Sequence, residues 1–363
     1  MHIPDGYLSP ATCAALYAGA APFWYVALRR IRSALHTRLV PLLSLFAAFS
    51  FVVMMFNIPL PGGSTGHAVG VALAAIVLGP SGSILAVSIA LAIQAFFFGD
   101  GGITALGANS LNMGVVGSLV AFGVYRLIAG RSALTSRRRF VAAGLAGYAA
   151  VNAAAFFTAV EFGIQPMLYQ DASGAPLYCP YPLSIAVPAM MIGHMTVAGL
   201  AEMVLTAGVV AYLQRSDVGL LRRTAGPAGD DDSAPLPERA TLRPLWIALG
   251  VLLVLTPLGV LAAGSAWGEW APSAFGDPAS RQAIAAASLD RQPPARAPRG
   301  LDRLSTVWTA PFPDYAPRFL RSATIGYLLS AMFGVGLVIL AVTAVAWMAG
   351  GRKPPDAVET AGT

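Results

Sequence analysis

Long apolar runs separated by short polar stretches dominate the chain, at about residues 10 to 28, 40 to 57, 66 to 79, 82 to 98, 105 to 128, 140 to 162, 183 to 213, 243 to 263 and 322 to 348. A helix needs roughly 20 predominantly apolar residues to cross a hydrocarbon core about 30 Å thick. The pattern therefore predicts an all-α polytopic membrane bundle of nine helices. The third run is short for a span, and Gly79-Pro80 separates it from the fourth, because proline has no N–H with which to continue a helix. The segment GPAGDDDSAPLPER, which follows the seventh run, reads as a linker from its Pro, Gly and Asp content. It divides a seven-helix unit, 1–225, from a two-helix unit, 243–350, with 226–242 between them. The second unit encloses a long loop, about 264–321.

Composition strengthens this picture: 56% of the residues are hydrophobic and 11% charged, whereas soluble domains carry about 25% charged residues. The net charge of +6 comes from arginines that gather between the apolar runs rather than on one basic face, a pattern that orients helices and argues against a nucleic-acid partner. Arg29, Arg30, Arg32 and Arg38 fill one loop, Arg126, Arg131 and Arg137 to Arg139 another, and Arg215, Arg222 and Arg223 a third. The positive-inside rule makes all three cytoplasmic, which fixes an outer N-terminus and a cytoplasmic tail at Arg352-Lys353 in a cell's inner (cytoplasmic) membrane. The same parity puts Met1, the loop NIPLPGGSTGH, the DGG at 100–102 and the loop 163–182 on one outer face. MHIPDGYLSP has no basic region and reaches Pro4, Gly6 and Pro10 before any apolar stretch, so it does not read as a cleaved signal. His2 is large, and Met1 is therefore expected to stay in place with a free α-amine.

That expectation gives the N-terminus a chemistry. The amine of Met1, the amide nitrogen of His2 and the His2 Nδ1 close fused chelate rings, setting three nitrogens in one plane around a divalent ion. An imidazole from His67 completes a square of four nitrogens, a geometry that suits Ni(II) or Cu(II) better than Zn(II) or Mg(II). Ligand protons must leave, so binding is expected to weaken in acid. His36 falls in a basic loop and reads as solvated. His194 and Glu202, eight residues apart on one helical face, are intramembrane ionisable groups and so rival candidates. We read them as structural, bonded to Gln94, Asn109 or Asn112. Asn109 and Asn112 share a helix face and read as interhelical glue, Asp100 as the N-cap of the fifth helix, and Glu161 as a residue of the outer interface. No GxxxxGK[ST] or HExxH pattern occurs, so an enzyme is not expected and uphill transport would draw its energy from other chains or an ion gradient. Two other classes remain at this point: capture of an organic vitamin, and a membrane enzyme of corrinoid synthesis.

Four segments carry a resemblance: MHIPDGYLSP, MMFNIPLPGGSTGHAVG at 54–70, QAFFFGDGGITALGANSLNMG at 94–114 and HMTVAGLAEMVLTAGVV at 194–210. Over residues 1 to about 215 the chain resembles the CbiM/NikM family, the substrate-capture components of energy-coupling-factor importers for cobalt and nickel. The resemblance implies Met1, His2 and His67 as metal ligands, with the metal as transported cargo rather than a permanent cofactor. It also implies a transmembrane coupling protein and ATPase subunits as partners. STGH stands where TSGH is commoner. The remainder is similar to the family's small two-helix accessory component, although AWGEWAP at 266–272 occupies the place of its usual PDGLE-type sequence. That similarity implies a part for the outer loop in loading metal.

Overall fold

The computed structural model describes residues 1–32, 39–225, 242–262, 264–317 and 319–349. His36, Arg38, Arg352, Lys353 and nearly all of the expected linker lie outside the described residues. The first helix starts where local chemistry dictates: Ser9 Oγ accepts the N–H of Thr12 at 3.0 Å, and Pro10 occupies the first helical position, the place where its missing N–H costs nothing. Helix α1 is Pro10–Arg32, α2 Leu39–Met54, α3 Val71–Leu78 and α4 Pro80–Ile93, the last continuing as a wider π-helical turn through Gln94–Phe98. A short α5, Leu106–Asn109, passes through a second π segment, Ser110–Val116, into α6, Gly117–Ala129. Then come α7, Arg137–Leu168, and α8, Leu183–Gly193, which a third π segment, His194–Ala198, joins to α9, Gly199–Ser216. The short α10, Val218–Ala225, packs on α3 and α9.

Among the described residues seven helical stretches are long and apolar enough to cross a membrane: Pro10–Arg32, Pro80–Phe98, Leu106–Ala129, Arg137–Leu168, Leu183–Ser216, Arg243–Leu261 and Ala323–Ala349. The nine predicted segments are all present, but two are shorter than a span. Leu39–Met54 has 16 residues, and the expected third helix, 66–79, is reduced to the eight residues of α3. Eight residues rise only about 12 Å. The non-helical stretch 67–70 precedes α3, and the helix ends at the far side of the bundle: Leu78, Gly79 and Pro80 line one cavity with Arg30, Arg126 and Arg223. Residues 67–78 thus join the end of the bundle that carries His67 to the end that carries the arginines.

The C-terminal unit supplies α11, Arg243–Leu255, and α14, Ala323–Ala349, both packed against α2. Helix α2 consequently has neighbours on nearly every side, and nearly all of its residues are buried. Gly334 of α14 makes the closest approach, since a Cβ there would lie 2.1 Å from the Phe51 ring. The expected loop 264–321 is folded rather than open. It contains α12, Pro278–Ala287, capped by Asp277 Oδ2 on the Ser280 N–H at 2.8 Å, and α13, Arg299–Leu304. It lies across the His67 end of the bundle.

Candidate metal centre

The first eight residues run into the protein instead of away from it: Met1 is 2% exposed, His2 1% and Ile3 0%. Asn109 takes hold of this segment in the manner of a β-strand, accepting the Ile3 N–H at 2.8 Å and donating to the Ile3 carbonyl at 3.1 Å. The Gly102 N–H donates to the same carbonyl at 2.8 Å. A side chain at Gly102 would collide with this strand, because its Cβ would stand 2.3 Å from the Asp5 nitrogen. Asp5 accepts from the N–H and the hydroxyl of Thr104, at 2.8 and 2.5 Å. The sequence MHIPDG is therefore seated on the 99–109 segment.

His67 arrives from the other side on a two-stranded turn in which Ile58 pairs with Gly66. The His2 and His67 rings stand 4.9 Å apart between centroids, tilted by 38°. His67 Nδ1 meets the Ala68 carbonyl at 2.9 Å, which makes Nδ1 the protonated nitrogen and leaves Nε2 as the lone-pair donor. Burial, together with the positive charge of His2 and the terminal amine, holds the His67 imidazole well below its ordinary pKa. It is neutral at pH 7, as a ligand must be. His2 Nδ1 is in short contact with Asp100 Oδ1, while its Nε2 is buried without a partner. The terminal ammonium of Met1 faces Glu269 Oε1 at 3.4 Å.

These contacts revise several sequence readings. Asp100 is no N-cap: α5 begins after Ala105 with no side-chain cap, and the Asp100 carboxylate instead joins His2 to Tyr315, whose hydroxyl donates to Oδ2 at 2.6 Å. Burial pushes the Asp100 carboxyl up, but the neighbouring His2 outweighs it and the net shift is downward. Asn109 clamps the N-terminal strand rather than gluing helices, while Asn112 donates to Glu161 at 2.8 Å and to Thr158 at 3.2 Å. Glu161 is correspondingly buried, its carboxylate turned to Asn112. Neither His194 nor Glu202 meets the amides expected of it: His194 Nδ1 turns to its own Met190 carbonyl at 2.8 Å, and Glu202 accepts backbone N–H groups of the His67 segment.

Residues the sequence did not point to complete the surroundings, and they come from the C-terminal unit. A cavity of about 260 Å³ is lined by His67, Asp100, Glu269, Asp314, Tyr315 and Tyr327, among others. Burial raises the Glu269 carboxyl against the pull of the ammonium it faces. Tyr315 stacks on Phe98 at 4.8 Å, and Tyr7 donates to the Trp270 carbonyl at 2.8 Å. One signal was available: Glu269 is the lone acid between two tryptophans in AWGEWAP. Two of the three π segments adjoin the site, one beginning at Gln94, which bonds Asp100 and Tyr315, and one at Ser110 beside Asn109. Such widened turns are frequent at functional sites. No group of three or more His, Cys, Asp or Glu side chains placed to hold a metal occurs among the described residues. What the site offers an ion is two imidazoles and backbone nitrogen.

The comparisons with known proteins agree with this architecture. Residues 2–220 match the family described as CbiM, cobalt uptake substrate-specific transmembrane region, and residues 243–350 match the PDGLE domain. The chain is 55% identical over 342 residues to the fused nickel transport protein NikMN of Rhodobacter capsulatus, covering 94% of this chain and 96% of that one. It is 40% identical to the probable fused nickel transport protein LarMN of Lactiplantibacillus plantarum, with the same coverage of 94% and 96%. A crystal structure of a truncated transition metal transporter superposes with a TM-score of 0.55 at 47% identity, covering 59% of this chain and 98% of that one. Nothing among these relatives favours vitamin capture or corrinoid synthesis. The chain is a multi-pass membrane transport protein that belongs to the CbiM family and carries a PDGLE domain on the same polypeptide.

Proposed function

We propose that the chain captures Ni(II) or Co(II) from outside the cytoplasmic membrane and delivers it to an energy-coupling importer, with ATP hydrolysed on separate subunits. The observation that carries this reading is the convergence of a buried N-terminal amine, His2 and His67 in one place, the two imidazole rings 4.9 Å apart. Met1 nitrogen, the His2 amide nitrogen, His2 Nδ1 and His67 Nε2 are the four donors. Asp100 Oδ1 is in short contact with His2 Nδ1, so an ion that takes Nδ1 replaces that contact. The dication brings charge into a buried place, and Asp100 and Glu269 offset it. Nickel is supported as cargo by the relatives of the same two-part build, which are named nickel transport proteins.

The C-terminal unit takes part, in this reading, through Glu269 on the amine and Tyr315 on Asp100. It closes the His67 end and leaves the arginine end, which faces the cytoplasm, to the coupling protein. The seven-helix unit 1–225 and the unit 243–350 act as capture and closing parts, joined by 226–242. Uptake of radioactive nickel by cells that express the chain with its coupling and ATPase subunits tests the reading. Loss of uptake in both His2→Ala and His67→Ala, with the protein present in the membrane, is expected; uptake at the normal rate in either contradicts it.

A further inference from the structure

Glu202 is a carboxylate without an ion-pair role in the site, in the first turn of α9 and 0% exposed. Its Oε2 accepts two consecutive backbone N–H groups, from Val69 at 2.8 Å and Gly70 at 2.9 Å. The Ala72 N–H and the Thr206 hydroxyl, one turn further along α9, also act on the carboxylate. A buried carboxylate is costly unless it is hydrogen-bonded, and this one is held by the two N–H groups that precede α3. Those groups belong to the segment that follows His67.

The Val69 N–H and the Ala68 carbonyl are the two polar ends of one peptide unit. Six atoms of that unit are coplanar and rigid. One end is held by Glu202; the other receives His67 Nδ1 at 2.9 Å. A single plane therefore connects the carboxylate to the imidazole, fixing both the ring's tilt and the tautomer that leaves Nε2 free. We propose that Glu202 is the positioning residue of His67, acting through the Ala68–Val69 peptide to set where Nε2 stands relative to His2. The inference rests on the reading of Met1, His2 and His67 as the metal site.

Reach, not charge, is the requirement. Glu202→Gln keeps the length of the side chain, and its amide oxygen can accept both N–H groups while its NH2 can donate to Thr206 Oγ1. Glu202→Asp keeps the charge but is one methylene shorter, by about 1.5 Å, which takes the carboxylate beyond hydrogen-bonding distance. Substituting groups that orient a metal-ligating histidine typically weakens binding roughly 10–100-fold. Nickel titration of the purified full chain, followed by calorimetry and by the visible spectrum of the bound ion, is expected to show affinity and spectrum near those of the unsubstituted protein for Glu202→Gln. For Glu202→Asp it is expected to show a 10–100-fold loss with an altered spectrum. Glu161→Gln, a second buried carboxylate that bonds only side chains, serves as a control for general destabilisation, with unchanged affinity expected.

A Glu202→Asp protein that binds nickel as tightly and with the same spectrum, whatever its thermal midpoint, would overturn the assignment. So would the reverse order, with Gln impaired and Asp intact. His67→Ala measured alongside separates the two levels: if it leaves affinity unchanged the metal site itself is misplaced, and if it abolishes binding while Glu202→Asp does not, only the role of Glu202 fails.

Discussion

Adding one glycine ahead of Met1 is a small change with a large expected effect. It converts the Met1 nitrogen from an amine into an amide and moves the free amine one residue, about 3.8 Å, along the chain. Met1 is 2% exposed, with its nitrogen 3.4 Å from Glu269, so the added residue must break that contact. Four-ligand protein sites bind a dication with about 10–16 kcal/mol, or about 2.5–4 kcal/mol per donor. Losing one donor then weakens binding roughly 60- to 700-fold. The extension also removes the ammonium that faces Glu269, and a double-mutant cycle in a Glu269→Gln background separates that contribution. If the donor is what matters, the extension remains costly in that background. Calorimetric nickel titration of the purified protein, with and without the glycine, reads the effect directly. An affinity within about threefold of the unextended chain would refute the chelate of amine, amide and imidazole.

Three further outcomes are expected. The proton on the His2 amide must leave for its nitrogen to ligate, so at least one proton is released per ion and affinity falls about tenfold or more for each pH unit on acidification; since His67 is held below its ordinary pKa it stays neutral through pH 6.5 and adds no break in slope there. Titrations from pH 8 to pH 6 in buffers of different ionisation enthalpy count the protons, and a pH-independent affinity would contradict the set of donors. His194→Ala removes a hydrogen bond to the Met190 carbonyl, a loss of about 1 kcal/mol, so it is expected to lower the thermal midpoint while nickel affinity stays within about threefold; a collapse of affinity would move the site deeper into the bundle. Gly102→Ala forces a Cβ to within 2.3 Å of the Asp5 nitrogen and is expected to expel the N-terminal strand, lowering affinity and raising amide hydrogen exchange over residues 1–8; an unchanged exchange pattern would show that the seating of this strand is not tight.

Much of the bundle was legible because membrane spans are written in length and apolarity, and because the arginines mark one end. The pairing of His2 with His67 followed from counting crossings. What the apolar run at 66–79 did not disclose is that only 71–78 is helical, since Ala68 and Val69 continue the run in residue type while their backbone bonds to His67 and Glu202 instead. Asp100 was misread for a related reason. A carboxylate before Gly-Gly looks local, whereas its partners, His2 and Tyr315, are 98 and 215 residues away. Glu202 was likewise assigned to side-chain amides, although a buried carboxylate can be satisfied by backbone N–H groups that leave no trace in residue type. The folding of 264–321 over the site was hidden by its prolines and arginines, which read as loop, while Glu269 and Tyr315 act only through tertiary contact. Widened π turns have no sequence signal of the kind that helix caps provide.

The central claim is that four nitrogens from two places in the chain surround the ion in one plane. Ni(II) held by four strong in-plane nitrogen donors is diamagnetic, and in six-coordinate or tetrahedral surroundings it is paramagnetic. Magnetic susceptibility of the nickel-loaded full chain, with X-ray absorption on the same sample, therefore tests the claim most directly. A diamagnetic ion with four nitrogen neighbours is the expected result; a paramagnetic ion, or one with oxygen in place of the terminal nitrogen, would contradict it.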